Sequence, residues 1–210
     1  MTIAIARNFL RAQKPKRDPY EFVSNTVTWG ELLSNDVAER DAEMRTLQLN
    51  PPDPVLENLA FLATEVIDPI REHFGRVQVL AGYRSPKLQD LVRAPRGSAI
   101  TKGLGVELRV VMDCDIKRGA AESVLEEVTG KDLLVSPSWY LAMWLAKRIK
   151  DFPIESISVD GGDKGRPSWV TVSAHQNPER QRGIVYACGL WTAGQTVRLH
   201  SVDLRNLGVL

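Results

Sequence analysis

One apolar stripe constrains this chain more than any other feature. Leu56, Leu59, Leu62, Val66, Ile70 and Phe74 recur at helical spacing, so a long helix must bury one face. A helix of that kind needs a second layer to cover it. Pro51-Pro52-Asp53-Pro54 marks its start, with Asp53 as N-cap and Pro54 at the first helical position. Gly75 fits the left-handed cap that ends it, and Pro69 predicts a kink inside it. Upstream, Thr28-Trp29-Gly30-Glu31 has the form of a capping box and predicts a helix from Thr28 to about Leu47.

Beyond the stripe the periodicity changes. Val77 to Leu80, Val106 to Met112, Ile154 to Val159 and Ser168 to Ser173 read as strands. Short helices are predicted from Pro86 to about Arg93, from Ala120 to Val128, and from the Ser136-Pro137-Ser138 cap to about Lys150. Two alternating runs between Gly183 and Leu199, split by Thr192-Ala193-Gly194, predict a terminal hairpin. Helices first and short strands later specify an α+β fold, a small, mainly antiparallel sheet with the N-terminal helices packed on it.

With 210 residues and 43% hydrophobic content, the chain can bury a core without disulfide staples. Two cysteines, Cys114 and Cys188, are too few for a disulfide scaffold or a cysteine-rich zinc site, and free buried thiols are the simpler reading. No apolar run reaches the roughly 18 residues a membrane span needs, and MTIAIARNFL lacks a signal peptide's form. The expectation is synthesis and folding in a cytoplasm. A net charge of +1 gives no global argument for nucleic acid. Residues 1–27, however, form a basic arm. Arg7, Arg11, Lys14, Lys16 and Arg17 all precede the first acidic residue, Asp18. Such an arm suits an acidic partner or nucleic acid, or it is a solvated tail.

Four segments in order, VIDPIREHFG (66–75), VQVLAGYRSP (77–86), GSAITKGLGVEL (97–108) and SWVTVS (168–173), together carry a resemblance. They resemble the zinc D-Ala-D-Ala carboxypeptidases of the hedgehog/DD-peptidase fold, and most of all the short bacterial and phage-encoded forms. The resemblance covers about residues 28–175. It implies a peptidase-like domain over 28–182, an insertion near 114–135 and a C-terminal hairpin extension over 183–210. In that family the third segment reads S-x-H-x-x-G-x-x-x-D, and its His and Asp bind zinc. A later Trp-x-His strand gives the third ligand, and an acidic residue just before it is the general base. Three protein ligands plus an open position for water are what such chemistry needs.

The matching positions here carry other side chains. Ser98 and Gly103 stand where the family has Ser and Gly, but Ile100 occupies the first histidine position, Glu107 the aspartate and Thr171 the second histidine. Asp160 lies near the catalytic acid, and Arg84 matches the family's substrate-carboxylate arginine. An isoleucine cannot ligate zinc and a threonine hydroxyl ligates poorly. The implied pocket is therefore vestigial, with no metal, no cofactor and no catalytic residue. Arg84 either still holds a carboxylate or braces its turn by pairing with Glu107 or Asp160.

Of the three histidines, His73 suits a helix C-terminus, His175 follows the Trp169 strand, and His200 has no ligand-type neighbour. Trp139, Trp144 and Trp169 read as core. The resulting expectation is an inactive peptidase-fold protein serving as a structural part of a bacteriophage particle: capsid, neck, tail or baseplate. Its partners would be other virion proteins or further copies of itself, with nucleic acid a candidate for the arm and no membrane. Two alternatives stay open, a module that binds peptidoglycan stem peptides and an active metallopeptidase that cleaves them.

Overall fold

A computed structural model describes residues 15–95, 97–111, 137–160, 168–176, 184–192 and 195–199. The capping box forms as the sequence implies. Thr28 Oγ1 accepts from the Glu31 N–H, and the Glu31 carboxylate accepts from the Thr28 N–H, which starts α1 (Trp29–Leu33). The helix expected to run on to Leu47 stops there. Ser34 is extended, Asn35 Oδ1 accepts from the N–H groups of Val37 and Ala38, and Asp41 Oδ1 accepts from Met44. Short polar side chains thus give the backbone local partners in place of a continuous ladder. A 3-10 turn at Ala38–Arg40 and a separate α2 (Ala42–Leu49) result.

The apolar stripe becomes α3 (Asp53–Leu62) and α4 (Asp68–Phe74), joined through a π turn at Ala63–Ile67. Pro52 takes the cap position and Asp53 is already helical, one residue off the expected start. The irregularity expected at Pro69 lies just before it, where the Asp68 N–H reaches back to the Ala63 carbonyl. A widened turn makes room for a ring that would otherwise strike the preceding turn, so the helix continues. Gly75 ends it with a positive φ of +74°, but its ψ of −106° lies outside the left-handed helical region that the sequence led us to expect; the Gly75 N–H still closes the turn on the Arg71 carbonyl.

The strands follow as β1 (Val77–Ala81), β2 (Gly105–Val110), β3 (Ile154–Asp160), β4 (Trp169–Ala174), β5 (Ile184–Thr192) and β6 (Gln195–Leu199). Two more helices, α5 (Pro86–Leu91) and α6 (Pro137–Lys147), interrupt them. The sheet order is β1-β2-β4-β3-β5-β6. The first four strands are antiparallel, β5 lies parallel to β3, and β5 and β6 pair as an antiparallel hairpin. Leu59, Leu62, Val66, Ile70 and Phe74 of the long helix share one buried cluster with Leu141 and Leu145 of α6. The same cluster takes Val106 and Leu108 of β2, Ile157 of β3, and Val170 and Val172 of β4. The architecture is α+β, with the α3–α4 helix and α6 packed on one face of the antiparallel strands. Cys114, His200, the predicted helix 120–128 and the loop 161–165 lie outside the described residues, as do the side chains of Trp139 and Cys188.

Candidate functional site

Strand alternation creates a second face, opposite the helices. In β2, Val106, Leu108 and Val110 are buried, while Glu107 and Arg109 between them are not. In β4 the buried residues are Val170, Val172 and Ala174, alternating with Trp169, Thr171 and Ser173. Register places Glu107 directly opposite Thr171, and Thr171 opposite Ser158 of β3. Two of the residues at inferred ligand positions are therefore cross-strand neighbours. Asp160 ends β3 opposite Trp169, and its side chain lies outside the described set.

Residue 100 is delivered by a 3-10 turn, Ala99–Lys102. Ser98 Oγ accepts from the Ile100 N–H, and Gly103 closes the turn at φ +71°. A side chain at Gly103 would meet the Val55 carbonyl, since its Cβ would lie 2.6 Å from that oxygen. A Cβ on Gly105 would likewise stand 2.8 Å from the Ile100 nitrogen. Gly103 thus lets the turn close against α3, and Gly105 lets it close against the start of β2. The side chain they deliver there, Ile100, is only 3% exposed. It presents no donor atom and contributes apolar packing.

Arg84 comes from the turn between β1 and α5. Gln48, 1% exposed, holds this turn: its Nε2 donates to the carbonyls of Leu33 and Tyr83, and its Oε1 accepts from the Ser85 N–H. Gly82 lies against Leu32, where a Cβ would approach the Leu32 Cα to 2.9 Å. From that anchored turn Arg84 Nη2 reaches Glu107 Oε2 at 2.6 Å, with side-chain exposures of 17% and 15%. A charge-assisted bond of that length, so shielded, is a strong local contact. The pair lines an open cleft of about 330 Å³ with Leu80, Val92, Ala94, Arg109 and Trp169. Two guanidiniums face one carboxylate, so the described side chains give the cleft a positive balance.

The donor set does not suit zinc. Ile100 offers nothing, Thr171 offers a neutral hydroxyl, and Glu107 is committed to Arg84. Among the described residues, no group of three or more His, Cys, Asp or Glu side chains comes together. His73 stacks on Trp144 with ring centroids 4.5 Å apart, in an aromatic cluster with Phe74, Tyr140 and Phe152. His175 follows β4, where its N–H donates to the Pro153 carbonyl.

Arg7, Arg11 and Lys14 lie outside the described residues. Lys16 and Arg17 contact the chain's own body, Lys16 through a 2.9 Å bond to Asp53 and Arg17 over the Trp29 ring at 5.4 Å. Lys16's hydrogen bond and charge hold the Asp53 carboxyl below its ordinary value.

A polar knot that the sequence did not announce fixes the following stretch. Asp68 accepts from Ser24 Oγ, Thr26 Oγ1 and the N–H groups of Asn25 and Thr26. Arg71 donates to the Thr26 and Val77 carbonyls and meets Glu31 at 2.5 Å. Burial pushes the Glu31 carboxyl up, but the bonds from Arg71 and Thr28 outweigh it and leave the group below its ordinary value. Glu31 is already visible as half of the capping box; its partner 40 residues on has no local signature. Comparison of the chain with protein-family models, curated proteins and solved structures found no match.

Proposed function

We propose that this chain is a degenerate member of the hedgehog/DD-peptidase fold that works as a non-catalytic structural part of a bacteriophage particle. The observation that carries the reading is Ile100. The Ser98 and Gly103 turn that would present a metal-binding histidine instead presents a buried isoleucine. A site missing that ligand, and with Glu107 bound to Arg84, has no means of holding a zinc-activated water. Placement in a virion rests on the likeness to short phage-encoded forms, a fold-level analogy. The β5–β6 hairpin supports it, because a hairpin added to a sheet offers backbone for pairing with a neighbouring subunit. Mass spectrometry of purified particles tests this: the chain should be present in fixed copy number. Its presence only in the infected-cell lysate would defeat the virion assignment.

One observation favours a second reading, a module that binds peptidoglycan stem peptides. The cleft joins Arg84 and Arg109 to the apolar surfaces of Leu80, Val92 and Trp169, which suits a short peptide ending in a carboxylate. Calorimetric titration with an acyl-D-Ala-D-Ala peptide separates the two. Saturable binding that Arg84→Ala abolishes supports the module; no heat in the wild type supports the structural part.

A further inference from the structure

We propose that Glu107 is a tethered ligand for Arg84, occupying in cis the place a free carboxylate would take. Four observations converge. The guanidinium and the carboxylate meet at 2.6 Å, and each side chain is shielded from solvent. The backbone that carries Arg84 is held from behind by the Gln48 and Gly82 contacts, so the turn itself does not depend on Glu107. Glu107 projects from the middle of a strand paired on both sides, to β1 and to β4, so the backbone holds it rigidly. The pair opens onto a cleft of about 330 Å³, through which a small anion can enter.

A carboxylate tethered next to a guanidinium competes at a very high effective concentration, which dissolved anions cannot match. In the wild type, therefore, free carboxylates leave the cleft untouched. Removing the tethered group leaves a shielded, unpaired guanidinium, which is costly until an anion arrives. The missing atoms define that anion. Glu107→Ala deletes a methylene and a carboxylate, which is the size of acetate. Glu107→Gly deletes one carbon more, which is the size of propionate. This inference rests on the reading of the cleft as non-catalytic, and it assigns Glu107 a role within it.

Thermal melts in sodium acetate, propionate and chloride at matched ionic strength test the proposal. About 100 mM acetate should raise the Glu107→Ala midpoint by roughly 3–6 °C over chloride, the shift for a site exposed to about ten times its dissociation constant. Propionate should act more strongly than acetate on Glu107→Gly. The wild type and Glu107→Gln, whose site stays filled, should not respond, nor should Arg84→Met/Glu107→Ala, which lacks the cation. If Glu107→Ala folds only in part, its refolded fraction in acetate against chloride gives the same readout. Equal responses in acetate and chloride, or an acetate response that survives Arg84→Met, overturns the proposal. Zinc content of the wild type is independent of this result. A zinc-loaded wild type with an acetate-rescued variant would sink the functional reading and leave the tethered ligand standing.

Discussion

Two arginines in this molecule sit in similar shielding and do different work. Arg71, with a side chain 12% exposed, binds the Glu31 carboxylate and the carbonyls of Thr26 and Val77. Every partner is fixed by the backbone, and together they fasten residues 24–28 to the start of β1. Arg84, 17% exposed, makes one hydrogen bond among the described residues, to Glu107; both arginines border a cleft, so the number of partners is what separates them. A guanidinium with its donors saturated is a fastening. One with donors to spare at the edge of a cleft has the form of a binding group, here facing its own chain.

The largest expected effect separates them. Arg71→Ala leaves a carboxylate and two carbonyls short of partners and should cost about 3–5 kcal/mol in chemical denaturation. Arg84→Ala should cost less, about 1–3 kcal/mol, because it leaves one carboxylate short of a partner and no backbone carbonyl. Equal losses would erase the distinction. Double substitution sharpens it. Arg84→Met with Glu107→Met replaces an isolated pair by apolar groups and should fall within about 1 kcal/mol of the wild type. Arg71→Met with Glu31→Gln should remain clearly destabilised, since the Thr26 and Val77 carbonyls still lack donors.

The smallest effect is a pH dependence. Glu31 has a folded-state pKa below its ordinary value, so the unfolded chain takes up that proton first as pH falls. Its stabilisation is complete above the ordinary carboxylate value and is lost as pH drops through the lowered one. Glu31→Gln should flatten the acid limb of a stability–pH curve there. An unchanged limb would mean that the Arg71 contact contributes little in solution, where a side chain 36% exposed is well screened.

What the sequence disclosed follows the range of each interaction. The Thr28 capping box, the helix stop at Gly75 and the apolar stripe depend on residues a few positions apart, and each falls where expected, although Gly75 takes a positive φ outside the left-handed region. The helix beyond Leu33 failed as an expectation because Asn35 and Asp41 favour caps over continuity, a competition that helical spacing cannot register. In the site, the pairing of Arg84 with Glu107 was one of two options open from the sequence. That Ile100 packs as core follows from its chemistry. The Gln48 brace and the Arg71 knot stayed hidden, because all their partners but Val77 lie 15 to 45 residues away and no spacing rule connects them.

The central proposal is that the chain holds no zinc, because the buried Ile100 stands at the position that the family resemblance assigns to a ligand, and metal stoichiometry tests it most directly. Refolded wild-type chain should be incubated with excess zinc, desalted and measured by plasma mass spectrometry, beside an Ile100→His/Glu107→Asp/Thr171→His variant. The account predicts far less than one zinc per wild-type chain and close to one per variant chain. One zinc per wild-type chain, lost on Glu107→Ala or on substitution of His175, would contradict it.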